Sequence, residues 1–253
     1  MEAVKIIMSG CNGHMGQTIT RLAAAREDAC IVAGIDRYQG IENAYPVFDD
    51  IEKCDADADV VIDFSAPAAL ESLISYAKKK GVALVLCTTG YTPEQLKTID
   101  EASEEIAILR SANMSLGINV LVKLLKQAVK EFAPAGFDIE IVEKHHNLKK
   151  DAPSGTALYL ADAVNEAADH RYTYVYDRSH RSEKRPQDEI GISAIRGGNI
   201  PGDHDVIFAG EDEVVTFSHK AYSKAVFGKG ALQAAVFMKG KPAGMYDMQD
   251  VIE

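Results

Sequence analysis

Through the first 115 residues, short apolar runs alternate with amphipathic stretches. Val4–Ser9, Ile31–Ile35, Asp59–Phe64, Val82–Cys87 and Ile106–Arg110 are mostly apolar and rich in β-branched residues. They lack strict polar alternation, as expected of strands covered on both faces of a parallel sheet. Between them, the spacing of apolar positions predicts helices over Met15–Glu27, Pro67–Lys80 and Pro93–Ser103. Ser65 is the expected N-cap of the second helix, with Pro67 just inside and Gly81 at the C′ position. Thr92-Pro93-Glu94-Gln95 opens the third as a capping box, Thr92 at the N-cap and Gln95 at N3. Strands and helices alternating through short links predict right-handed crossovers and an open, doubly wound sheet.

The pattern changes after residue 116. A long helix is expected over Ile118–Glu131, an extended stretch over Asp138–Glu143, a polar loop to Ser154, and a helix over Gly155–Ala168. Three extended segments follow, Glu189–Arg196, Asp205–Ala209 and Glu213–Ser218, without helices between them. They read as antiparallel neighbours, which makes this half α+β. Asp177–Gln187 is dense in charge and reads as a surface loop. A last helix is expected over Lys224–Met238.

The first strand runs into Gly10-Cys11-Asn12-Gly13-His14-Met15-Gly16, a glycine turn opening a helix. The usual dinucleotide fingerprint would put its first glycine at 11; here that glycine stands at 10 and position 11 is Cys. Gly10 and Gly13 can supply a positive-φ turn and close backbone approach, Gly16 lets the helix pack on its strand, and the backbone N–H groups suit a pyrophosphate. Asp36 ends the second strand twenty residues after Gly16, where a carboxylate would accept from a ribose 2′-OH. Its neighbour Arg37 could instead pair with a 2′-phosphate, so neither NADH nor NADPH is excluded. Further strand ends carry Cys87-Thr88-Thr89-Gly90 and Ser111-Ala112-Asn113-Met114, small and polar residues at the carboxyl edge where open α/β sheets bind ligands.

The densest polar constellation is Glu143-Lys144-His145-His146-Asn147-Leu148-Lys149-Lys150-Asp151-Ala152-Pro153-Ser154-Gly155-Thr156. Adjacent histidines on an extended chain point to opposite sides, and no third ligand stands at a metal-site spacing. A histidine titrating near neutrality suits general acid–base work, and lysines can hold an anionic substrate. Ser154-Gly155-Thr156 starts a helix whose N–H groups and hydroxyls suit a carboxylate.

Composition narrows the classes. The chain has 253 residues, room for one large domain or two small ones, with 47% apolar residues for a sizeable core. A net charge of −11 argues against nucleic acid as a partner. The longest apolar runs have strand length, well short of a membrane span, and Met1-Glu2 leads straight into a strand without a signal-peptide layout. Cys11, Cys30, Cys54 and Cys87 are widely spaced, as expected of reduced thiols in a cytoplasm.

At this level of detail the chain resembles the 4-hydroxy-tetrahydrodipicolinate reductase (dihydrodipicolinate reductase) family from end to end. Glu143 through Ala157 is similar to the family signature E-x-H-H-x-x-K-x-D-A-P-S-G-T-A at every fixed position. Gly10-x-x-Gly13-x-Met15-Gly16, Thr88-Thr89-Gly90, Asn113 to Asn119, Arg196-Gly197-Gly198, Gly202-Asp203-His204, Gly230-Ala231-Leu232 and the closing Gly-Met-Tyr-Asp-Met-Gln-Asp-Val resemble further family segments. The chain departs from the family pattern at Cys87, where glycine is commoner, at Met114, where phenylalanine is frequent, and at Ser193, often His.

The resemblance implies an α/β fold. A Rossmann-like doubly wound parallel sheet would be joined to a second α+β domain with a mixed or antiparallel sheet. Residues 1–116 would form the dinucleotide-binding domain and 117–226 the substrate-binding, catalytic and oligomerisation domain. Residues 227–253 would return to the first domain. The implied activity is NADH- or NADPH-dependent reduction of a cyclic imine dicarboxylate in the diaminopimelate route to lysine, by a homotetramer. His145 would be the proton donor and Lys149 the second catalytic cation. His146, Ser154, Gly155 and Thr156 would contact substrate carboxylates. The turn Gly10, Cys11, Asn12, Gly13, His14, Met15 and Gly16 would hold the cofactor. Asp36, Arg37, Cys87, Thr88, Thr89, Ser111, Ala112, Asn113 and Met114 would complete that site. Two other readings, a dehydrogenase acting on aspartate or homoserine and a nucleotide-sensing regulator, leave the combination of His-His-x-x-Lys with Ser-Gly-Thr without a purpose.

Overall fold

The computed structural model describes residues 2–252. By compactness the chain divides into two units: one runs to Leu116 and resumes at Ala225, the other is Gly117–Lys224. In chain order the first unit begins with β1 (Val4–Ser9), α1 (His14–Ala23), β2 (Ala29–Ile35), β3 (Val47–Phe48) and β4 (Val60–Asp63). It continues with α2 (Leu70–Lys80), β5 (Ala83–Leu86), α3 (Pro93–Ser103) and β6 (Ala107–Arg110). The second unit holds α4 (Leu116–Phe132, starting at the division), β7 (Asp138–His145), α5 (Gly155–Ala167), β8 (Thr173–Val175), β9 (Glu189–Arg196), β10 (Asp203–Ala209) and β11 (Val214–Lys220). The chain then returns to the first unit as α6 (Ala225–Met238), β12 (Gly244–Tyr246) and α7 (Met248–Val251).

In the first unit seven strands pair, all in parallel, in the order β12-β6-β5-β4-β1-β2-β3. The order reverses between β1 and β4, and at such a switch point the two adjacent loops diverge and open a crevice. Two apolar layers flank the sheet. One packs α1 and α6 on Ile6, Met8, Ile62, Val85 and Leu109; the other packs α2 and α3 on Ile7, Val61, Leu84 and Ile108. Successive strand residues thus face opposite layers, both dry, which accounts for the unalternated apolar runs. The capping box at Thr92 and the left-handed Gly81 (φ 67°) stand where the sequence puts them. Ser65 does not cap a helix. Its N–H and hydroxyl turn back to Asp63, and Ala66 precedes a 3-10 turn, Pro67–Ala69, that leads into α2. α1 ends at Ala23, short of the expected Glu27.

In the second unit five strands pair in the order β11-β10-β7-β9-β8. The expectation that the three late strands are antiparallel neighbours is corrected. Only β10 and β11 are; β9 lies on the far side of β7 and runs parallel to it, and β8 is parallel to β9. The connection from β7 to β9, which includes α5, is long enough for their parallel pairing, and the stretch 176–188 carries the chain back for the parallel pairing of β8 with β9. β7 is also two residues longer than expected. Lys144 pairs with Asp203 and Ile195, and His145 pairs with Arg196, so His145 ends a central strand rather than starting a loop. The core of this unit is the apolar seam of α4 and α5 on Ile139, Ile141, Ile190, Ile192, Val206 and Phe208.

Candidate active site

In the first unit, an open cleft of about 900 Å³ lies at the carboxyl edge of β1, β2 and β4. Of the residues the sequence singled out, Gly10, Gly13, Asp36 and Arg37 line it, together with Phe64, Ser65, Ala66, Asp50 and Lys53, which sequence reasoning missed. Gly10 has φ 78°, and a Cβ there would stand 2.7 Å from the Phe64 carbonyl oxygen. A Cβ on Gly16 would stand 2.2 Å from the Gly10 carbonyl oxygen. Both glycines are therefore obligatory for this turn.

The turn's own N–H groups are spent internally. Gly10 and Cys11 donate to the Ile35 carbonyl, Asn12 to Asp36 Oδ2 (2.9 Å), and Gly13 to the Gly10 carbonyl. The N–H groups that could serve a phosphate are instead those of the first turn of α1, at His14, Met15 and Gly16. They have no side-chain cap, because the N-cap is Gly13. Asp36 accepts from the Asn12 N–H on one oxygen and the Tyr38 N–H (2.9 Å) on the other. A carboxylate has about four acceptor positions, so this rigidly held group can still take two hydroxyls. Arg37 is exposed. The Cys11 side chain is fully buried, and burial pushes its thiol up to about 11, so it stays protonated in the core.

Cys87, Thr88, Thr89 and Ser111 to Met114 do not line this cleft; they follow β5 and β6, further along the same sheet edge. Thr88 donates to the fully buried Asp63 at 2.6 Å, and Ser65 donates to the same carboxylate at 2.5 Å. Asp63, at the end of β4, thereby ties two cleft-edge loops together. Ser111 and Asn113 are held by hydrogen bonds within their loop, while Met114 is buried in the core.

The second unit carries the titratable cluster. Glu143 is fully buried on the core face of β7, and His145, two residues on, shares that face. His145 Nδ1 lies 2.6 Å from Glu143 Oε2. Arg196, paired with His145 across β9, grips both Glu143 oxygens at 2.7 and 2.8 Å, and the Ser154 N–H adds a bond of 3.0 Å. Burial alone would push the Glu143 carboxyl up, but these donors together bring it below the usual carboxylate range, so it is ionised.

Ser154 Oγ accepts from the Ala157 N–H as the N-cap of α5, which leaves its proton for His204 Nε2 at 3.1 Å. His204 is buried edge-on to His145, with ring centroids 5.1 Å apart. Desolvation, with the neighbouring His145 second, lowers it to about 4, so it is neutral at pH 7. Lys149 Nζ pairs with Asp151 at 2.8 Å, and Lys150 is exposed. Gly155 is exposed at the start of α5, with nothing within 4 Å of where a Cβ would stand. Among the described residues, buried His146 Nδ1, His204 Nδ1 and Arg196 Nε have no partner. Thus His145 and Ser154 meet in one polar cluster with Glu143, Arg196 and His204; Gly155 follows Ser154, Lys149 joins through Asp151, whose carbonyl accepts from Arg196, and His146 is half-buried just past the strand end. Sequence reasoning assigned no role to Glu143, Arg196 or His204. A Glu-x-His spacing on a strand was the available signal for the first.

Among the described residues, no group of three or more His, Cys, Asp or Glu could hold a metal, and no helix is long and apolar enough to cross a membrane. Comparison with known proteins gives a consistent answer. Residues 4–114 match the family described as "Dihydrodipicolinate reductase, N-terminus", and 117–252 match "Dihydrodipicolinate reductase, C-terminus". The chain is 51% identical over 250 residues to 4-hydroxy-tetrahydrodipicolinate reductase of Caldanaerobacter subterraneus subsp. tengcongensis, covering 99% of this chain and 98% of that one. It is 53% identical over 245 residues to the protein of the same name in Clostridium tetani, covering 97% and 95%. In fold it is similar to dipicolinate-bound dihydrodipicolinate reductase from Paenisporosarcina sp. TG-14, with a TM-score of 0.79, 23% identity, and coverage of 99% and 100%.

Proposed function

The chain belongs to the dihydrodipicolinate reductase family, and from that premise we propose that it reduces (2S,4S)-4-hydroxy-2,3,4,5-tetrahydrodipicolinate to tetrahydrodipicolinate with loss of water, in lysine biosynthesis. The observation that carries the residue assignment is a buried histidine held by a carboxylate that also accepts from the N–H of Ser154, the N-cap of α5.

The first unit is the cofactor domain and its carrier is NADH or NADPH. The glycine turn fits a dinucleotide because a Cβ at Gly10 or Gly16 would collide with backbone, and Asp36 keeps acceptor positions for a ribose diol. Gly13, the first turn of α1, Asp36 and Arg37 would hold the nucleotide half, and Thr88, Thr89 and the 111–114 loop the remainder. When bound, the reduced nicotinamide supplies a hydride.

The protein's own chemistry falls to the second unit. His145, with Nδ1 engaged by Glu143, holds a proton on Nε2 for the substrate carbon beside the one reduced. Lys149 and His146 bind the substrate's carboxylates and offset charge that develops on the ring nitrogen. Gly155 and Thr156 receive a second carboxylate at the start of α5, which Ser154 caps. The four free thiols fit a cytoplasmic enzyme. The open face of the second sheet, where Ile195 and Val214 are exposed on the same side as Lys144 and Ile207, supports assembly into a homotetramer.

His145→Gln tests the reading. Turnover is followed as nicotinamide oxidation on substrate made in situ from pyruvate and aspartate semialdehyde by a synthase. Loss of the acid lowers kcat by roughly 10²–10⁴-fold. Turnover near that of the unmodified protein would remove His145 from the role.

A further inference from the structure

A general acid must present its proton from a defined atom, and imidazole offers two nitrogens. We propose that Glu143 and Arg196 form a positioning pair: Glu143 takes the Nδ1–H of His145, which leaves Nε2 as the working nitrogen, and Arg196 holds that carboxylate in place. The proposal rests on the reading of His145 as proton donor and extends it to two residues without an assigned role.

The geometry carries it. Glu143 has about four acceptor positions, and four donors reach it: His145 Nδ1, two Arg196 nitrogens and the Ser154 N–H. The carboxylate is therefore saturated and has no freedom to rotate away from the ring. Being fully buried, it cannot exchange any of these donors for water. Arg196 is anchored in its turn, because Nη2 also donates to the Asp151 carbonyl (2.6 Å) and Nη1 to the Ile195 carbonyl (2.8 Å). On the other side, a Cβ at Gly202 would stand 3.0 Å from His145 Nε2, so the glycine keeps that nitrogen clear. A single carboxylate thus aims the proton donor and, through the Ser154 N–H, fixes the start of α5, where a substrate carboxylate would bind. Catalysis and binding are registered to one atom pair.

Around His145 stand Glu143 on its own strand, Arg196 on β9 and His204 on β10. Removing the negative charge of Glu143 while keeping its shape, as in Glu143→Gln, lowers kcat by about 10–100-fold, with KM changing less. Arg196→Lys keeps the charge but loses the two-pronged grip, and gives a smaller loss in kcat.

Nitrogen-15 NMR of the histidine rings in the full-length protein is the decisive measurement, because it needs no turnover. In its neutral form His145 is expected as the Nδ1–H tautomer, and in Glu143→Gln as a mixture or as the Nε2–H form. An Nε2–H tautomer in the unmodified protein overturns the proposal. So does an unchanged kcat in Glu143→Gln while His145→Gln is inactive, and in that case the assignment of His145 survives. If His145→Gln is active, the underlying reading fails instead. Should Glu143→Gln not fold, the ring signals of the unmodified protein and the kcat of Arg196→Lys decide.

Discussion

Two glycines of α6, Gly228 and Gly230, make opposite demands on their surroundings, and the contrast tests how the 111–114 loop is held. Helical propensity alone says that replacing either by alanine should stabilise the protein by up to about 1 kcal/mol. A Cβ on Gly230 would lie 1.6 Å from the Met114 carbonyl oxygen and 2.8 Å from its carbon. A tolerable contact begins near 3.2 Å, so the helix or the loop must move by about 1.5 Å, and the obstacle is backbone that cannot rotate aside. Overpacking of this kind costs roughly 3 kcal/mol or more, which outweighs the propensity gain and leaves a net loss of about 2 kcal/mol. A Cβ on Gly228 would meet only the tips of Leu22 (3.0 Å) and Ile19 (3.1 Å), which can shift by a few tenths of an ångström. Gly228→Ala is therefore expected within about 1 kcal/mol of the unmodified protein in either direction. Thermal unfolding followed by circular dichroism should show Gly230→Ala lower by about 4–8 °C, at 2–4 °C per kcal/mol for a chain of this size. Because Met114 closes the 111–114 loop, the same variant should bind NADH about ten-fold more weakly in a fluorescence titration, and Gly228→Ala should not. A Gly230→Ala protein as stable as the unmodified one, with unchanged NADH affinity, would refute the argument.

Two further outcomes follow from the same geometry. His204, neutral when folded and lowered to about 4, takes up a proton near 6.5 when unfolded, so the unfolded state binds more protons between those values and stability falls as pH drops through that window. The contribution is roughly 3 kcal/mol across the window and constant above it; urea unfolding from pH 7 to 4 should show this slope, and His204→Gln should flatten it, whereas an unchanged slope would point to other groups. At the cofactor cleft, Arg37→Ala is expected to weaken NADPH about ten-fold while sparing NADH, as the loss of a charge-assisted contact to a 2′-phosphate requires. Equal losses for both carriers, measured by steady-state titration, would remove Arg37 from that role.

The parallel sheet was readable because its strands are dry on both faces, and its helices because their ends carry local chemistry such as the Thr92 capping box and Gly81. What escaped was set by distant pairing. β3 has two residues and β12 three, too few for any periodicity, and both exist because a neighbouring strand offers an unpaired edge. The place of β9 beside β7 depends on the α5 crossover, which adjacent residues do not encode. Ser65 is not the cap because the 3-10 turn starts one residue later, with Ala66 at its N-cap, and Ser65 instead turns back on the buried Asp63.

In the candidate site the same division runs through a single strand. Asp138–His145 alternates half-buried and buried positions, and its core face reads Ile139, Ile141, Glu143, His145. Two isoleucines mark that face as interior, and the period of two then places the glutamate and the histidine side by side within it. A carboxylate on a dry face needs donors, and the histidine can supply only one. The demand for the others is thus legible from the strand alone, although their identity is not. Arg196 answers it from 53 residues away and Ser154 from 11, because the parallel register sets Arg196 opposite His145 and the turn before α5 brings a backbone N–H back to the strand. The residues that would meet the substrate could be named from spacing, whereas those that aim them had to wait for the register of the sheet.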